Sequence, residues 1–141
     1  MKTHICILLL FSIYSLIEGY REAYFYHSAR IFLVKNLHPI FLLQRIIVSS
    51  GMLMFILYKQ SELWCIAVYF GLLISLGAIF PLLHDGMYYL TRNNIDRNIY
   101  KKRFWDYADS DAIMDFNVTQ RVILFIAGLF LYSGIVLFII N

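Results

Sequence analysis

The chain has 141 residues, of which 61% are hydrophobic and 15% charged, with a mean hydropathy of +0.69 and a formal net charge of +3. A soluble domain of this length carries about a quarter charged residues, so the composition excludes an ordinary soluble fold. The small positive excess gives no reason to expect nucleic acid as a partner.

The first apolar run, residues 5–17, is uncharged but short. As a helix, such a run rises only about 20 Å, against about 30 Å of hydrocarbon. Span 1 therefore has to continue through Glu18, Arg21 and Glu22 to the aromatic group Tyr24, Phe25 and Tyr26, covering about 5–26. A cleaved leader is the competing reading of "MKTHICILLLFSIYS", but no A-x-A-like site follows it. That reading would leave three spans.

Span 2, about 39–58, opens at Pro39, a good first-turn residue, and carries Gln44 and Arg45 before ending ahead of Lys59 and Gln60. Span 3, about 62–83, holds no charge from 63 to 83 and presents a small face at Gly71, Ser75 and Ala78. Pro81 is expected to bend it before His84 and Asp85. Span 4, about 119–140, starts at Gln120 and Arg121 and is uncharged from 122 to 140.

Continuous apolar runs exclude a membrane β-barrel, whose strands alternate. The expected fold is thus an all-α integral membrane protein, a four-helix transmembrane bundle forming one domain.

Between spans 3 and 4, Ile95, Ile99, Tyr100, Phe104, Tyr107 and Ala108 fall at helical spacing. An amphipathic segment over about 92–108, lying in the headgroup region with Trp105 near the interface, fits this pattern. A soluble helix packed on the end of the bundle fits it equally. Arg97, Lys101, Lys102 and Arg103 could attract anionic lipid there. Asp106, Asp109, Asp111 and Asp115 lack the glycine of a calcium loop and read as solvated charges. Asn117 and Thr119 form a sequon beside span 4, expected to serve instead as a helix cap.

Loop charge orients the bundle. Of the twelve Lys and Arg residues, all but Lys2 and Lys59 flank two connections, 27–38 and 84–118. Both connections should face the cytoplasm and both termini the outside of a plasma or inner membrane.

Internal similarity is also present. Glu18-Gly19 ends span 1 as Asp85-Gly86 ends span 3, and Gln44-Arg45 opens span 2 as Gln120-Arg121 opens span 4. Two repeated helical hairpins would produce this order.

Every span then brings a polar element to one depth. Glu18, Arg21, Glu22, Arg45, His84, Asp85 and Arg121 form an expected intramembrane charge network, with Gln44, Gln120 and Ser15 as polar support. Three acids meet three arginines, so the layer balances with His84 neutral. Charge at this depth is costly and pairing is the expected solution. On span 1, Ser12, Ser15, Gly19, Glu22 and Tyr26 make a stripe that should face the bundle interior.

No nucleophile motif, phosphate loop or zinc-protease pattern occurs. His27, His84, Glu18, Glu22 and Asp85 could converge, but no His or Cys spacing specifies a metal site or other cofactor. Cys6 and Cys65 lie near the outer ends of spans 1 and 3, where free buried thiols are the expectation over a disulfide.

These features point to a non-enzymatic, self-associating channel, pore or scaffold in the lipid bilayer, a homo-oligomer, with small-residue faces that favour close packing within the bundle or between copies. A proton-coupled solute transporter using Glu18 is the alternative. A third reading is a membrane-embedded enzyme or a metal or lipid binder built on His84, Asp85, Glu18 and Glu22.

Overall fold

The computed structural model describes residues 2–28, 38–57, 64–98 and 116–140. Over these residues the chain forms four helices and no strand: α1 (Lys2–Ser28), α2 (His38–Leu57), α3 (Trp64–Ile95) and α4 (Val118–Ile140). Three of them contain stretches long and apolar enough to cross a membrane, Thr3–His27, Ile66–Ile95 and Val118–Ile139. The apolar part of α2, Ile40–Met54, is shorter. The architecture is that of an all-helical integral membrane protein.

Side-chain pairings give the helix directions. Phe11 meets Phe80 and Tyr26 meets Tyr88, so α1 and α3 run parallel. Gly128 of α4 faces Ser75 while the later Ile135 faces the earlier Gly71, so α4 runs antiparallel to α3. α2 runs back between them: Phe41 packs on Phe25, Arg45 reaches Glu22 and His84, and Ser50 bonds Tyr69 at 2.6 Å. The order is up-down-up-down.

α3 is the central helix. It packs along its length on α1 and α4, whereas α2 touches α1 and α3 over a shorter stretch. The apolar core is Ile7 and Phe11 of α1, Leu53 of α2, Leu72, Leu76 and Ile79 of α3, and Tyr132 and Val136 of α4. Outside it, Leu9, Ile13, Ile47, Ile74, Phe130 and Phe138 stay exposed, as expected of side chains solvated by lipid.

Glycine permits the two tight crossings. A Cβ on Gly128 would lie 2.7 Å from the Ser75 carbonyl oxygen and 2.9 Å from Ile79 Cγ1. A Cβ on Gly19 would collide with the His84 carbonyl oxygen, with Tyr88 N at 3.1 Å. Only a hydrogen fits at either place, so the backbones approach closely. The small face expected on span 3 is therefore occupied within the bundle.

One expectation needs correction. Residues 84–91, read as part of a connection, are helix: α3 passes Pro81 without stopping. Proline removes one hydrogen bond, and the packing of α1 and α4 on both flanks holds the helix through it. The first residues of the expected interfacial segment are accordingly the end of α3, closed by Asp96 N on Arg92 O at 3.1 Å. Residues 99–108, with Lys101, Lys102 and Arg103, lie outside the described residues, as do 29–37 of the first connection. α4 lies against α3 far more closely than α2 lies against α1.

The start of α4 follows from its sequence. Asn117 Oδ1 accepts from Gln120 N, and Gln120 Oε1 accepts from Asn117 N, each at 2.9 Å. This reciprocal capping box satisfies two donors that a helix start leaves open. Asn117 is thus the cap, as its position suggested.

Candidate functional site

α1 carries the site on one stripe. Ser15, Glu18, Gly19, Glu22 and Ala23 are all buried, and they recur at three- and four-residue spacing on the face turned to α3. Gly19 sets its depth. Because α1 touches the α3 backbone at His84, the carboxylates one residue before Gly19 and three after it are carried into the interior. Glu18 is 2% exposed and Glu22 5%.

Each acid has a guanidinium. Arg21 donates to Glu18 Oε1 at 2.7 Å and to Gln44 Oε1 at 3.2 Å, linking α1 to α2 while staying about half exposed itself. Arg45 crosses from α2 to donate to Glu22 Oε1. Its guanidinium also covers the Phe80 ring at 4.7 Å. Such stacking lowers the cost of a cation in an apolar setting.

His84 lies at the centre and is engaged through both ring nitrogens. Nδ1 is 2.8 Å from Asp85 Oδ1, and Nε2 is 3.2 Å from Glu22 Oε2. Nε2 is also 3.1 Å from the Arg45 guanidinium. The ring stacks on Phe80 at 4.6 Å and on Tyr88 at 6.4 Å, one turn away on either side. Its plane is therefore fixed by its own helix. With Nδ1–H donated to Asp85, a neutral ring accepts from Arg45 at Nε2, whereas a protonated ring donates from Nε2 to Glu22. Asp85 is 28% exposed at its side chain and Glu22 only 6%, so the imidazole bridges a wetter carboxylate and a drier one.

The remaining expected members sit elsewhere. Ser15 is buried, but its hydroxyl donates to Phe11 O at 2.8 Å, within its own helix. Gln120 belongs to the α4 cap. Arg121 is fully buried with its guanidinium 6.0 Å from the Tyr89 ring. The strongest charges acting on Glu18, Glu22 and His84 are Arg21, Arg45 and one another. Arg45 and Arg121 occupy equivalent places in their hairpins. Arg45 meets Glu22, four residues after Glu18, and Arg121 meets Tyr89, four residues after Asp85.

Three contributors were not singled out from the sequence. Tyr14 precedes Glu18 by one turn, and its buried hydroxyl lies in the field of Glu18, Arg45, Arg21 and Glu22. Phe80 and Tyr88 clamp His84. Their four-residue spacing around it was the available signal.

Among the described residues, no three His, Cys, Asp or Glu side chains are grouped to hold a metal ion. Cys6 is a free, exposed thiol, and the side chain of Cys65 lies outside the described residues. No family model, no curated protein and no solved structure matches the chain.

Proposed function

We propose that this membrane protein moves protons through its polar layer, with Glu22, His84 and Asp85 as the relay and Glu18 as a carboxylate paired one turn deeper. The observation that supports it is the contact of His84 with one carboxylate at each ring nitrogen, within a bundle whose outer surface is apolar. An imidazole takes a proton at one nitrogen while releasing one from the other, so a proton taken from Glu22 at Nε2 can be matched by release of the Nδ1 proton to Asp85 without the ring turning over during that transfer.

In this proposal all four helices cross a plasma or inner membrane with both termini outside, because α2 runs back between two parallel spans. The connections lie in the cytoplasm, where Arg97, Lys101, Lys102 and Arg103 would meet anionic lipid. Proton movement coupled to a small solute is the finer form of the reading.

A second reading, a scaffold or self-associating pore in which the layer only fixes helix register, draws on the ion pairs Glu18–Arg21 and Glu22–Arg45. Proton flux into proteoliposomes separates the two, measured for the wild type, His84→Gln and Glu22→Gln with thermal melts alongside. A relay predicts folded mutants without flux. A scaffold predicts no flux in any of them and early melting on loss of Glu22.

A further inference from the structure

We infer that Tyr14 and Arg45 hold a water molecule between α1 and α2, one turn beyond Glu18, which extends the proton path toward mid-membrane. The path role rests on the relay reading above; the water itself does not.

Two buried donors carry the inference. The Tyr14 hydroxyl and the Arg45 Nε–H are each enclosed without a hydrogen-bond partner among the described residues. Leaving either unpaired in an apolar interior costs free energy. They also belong to one place. Tyr14 packs on Phe11 at 6.2 Å, Phe11 on Phe80 at 6.3 Å, and Arg45 lies over Phe80 at 4.7 Å. The rings of Phe11 and Phe80 therefore form an apolar floor with a donor from α1 and a donor from α2 around it.

The orientation of Arg45 follows from its other bonds. Its terminal NH2 group is held by Glu22 and His84, which fixes the plane and leaves Nε–H outside that contact. α2 packs on α1 over only a short stretch, whereas α1 and α3 meet backbone to backbone at Gly19.

The ligand class is set by these groups. Two donors need an oxygen acceptor, and their full burial restricts it to something as small as water. A buried water is retained where it makes about three hydrogen bonds. Tyr14, Arg45 and the Glu18 carboxylate, one turn along α1, supply that number. Such a water accepts one proton as it gives up another and remains water, so it links the Tyr14 hydroxyl to Glu18 with no net chemistry.

The test is solution NMR on the full-length protein in detergent micelles, following transfer of magnetisation from water to Arg45 Nε–H, together with proton flux in proteoliposomes. Transfer should be present in the wild type, persist in Ser12→Ala, whose hydroxyl serves only Leu8 O, and disappear in Tyr14→Phe. In the same variant, flux should fall about tenfold with melting unchanged. Absence of transfer in the wild type, or transfer that survives Tyr14→Phe, overturns the water site. Unchanged flux in Tyr14→Phe overturns its place on the path. A wild type without flux removes both the relay and the path role, while the NMR result still decides the water.

Discussion

Replacing Gly19 with alanine tests the geometry on which the site depends without touching a titratable group. The added Cβ meets the His84 carbonyl oxygen, with the His84 carbonyl carbon and Tyr88 N at 3.1 Å, and all three are backbone atoms that no rotamer change can move aside. Relief requires α1 and α3 to part by about 1 Å, an overpacking strain of about 1–3 kcal/mol. The same movement lengthens the Glu22–His84 contact from its 3.2 Å beyond hydrogen-bonding range. Gly19→Ala should therefore unfold at lower denaturant and lose proton flux together, with every acid, arginine and histidine still present. Gly51→Ala is the control, because nothing lies within 4 Å of a Cβ there. It should be stabilised by about 0.5–1 kcal/mol from helix propensity alone. Equilibrium unfolding in mixed micelles reads both. Equal stability of Gly19→Ala and the wild type would refute the close crossing and the account of how Glu22 is positioned.

Gly128→Ala strains the other crossing, against Ser75 O and Ile79, and should cost about 1–3 kcal/mol in the same unfolding assay while leaving flux in the surviving folded protein unchanged. Arg45→Ala strands the Glu22 carboxylate, but the arginine is 24% exposed, so the loss should be about 2–3 kcal/mol, below the full penalty for a sealed pair. Adding Glu22→Gln to Arg45→Ala should recover part of it, and a double-mutant cycle on the melts measures that recovery. Asn117→Ala removes the capping box and should cost about 1 kcal/mol, seen as faster amide exchange in the first turn of α4 with no change in flux.

Helix positions were legible because a bilayer demands long apolar runs, and the burial of Glu18 and Glu22 was legible because residues 5–17 are too short to span alone. The capping role of Asn117 was equally local, needing only Gln120 three residues on. What could not be read was partner choice. Arg121 matches Arg45 in sequence context, and it lies over Tyr89, the residue of α3 in the place that Glu22 holds on α1. Continuation of α3 as far as Ile95 was hidden for a similar reason, since Pro81 weakens the helix locally and packing from α1 and α4 overrides it. The role of Tyr14 depends in part on the charge of Arg45, brought by α2, which the periodicity of α1 does not encode.

The unequal fastening of the helices has a consequence for the order in which the molecule comes apart. α1, α3 and α4 are joined by crossings where backbone meets backbone, so they open as one cooperative unit. α2 is attached over a short stretch by Leu53 and by polar links from Gln44, Arg45 and Ser50. Its detachment is then the lowest sub-global opening, and its amides should exchange first. That opening strips Arg45 from Glu22 and His84 while the other three helices stay assembled. The polar layer therefore has a lifetime of its own, shorter than that of the fold around it.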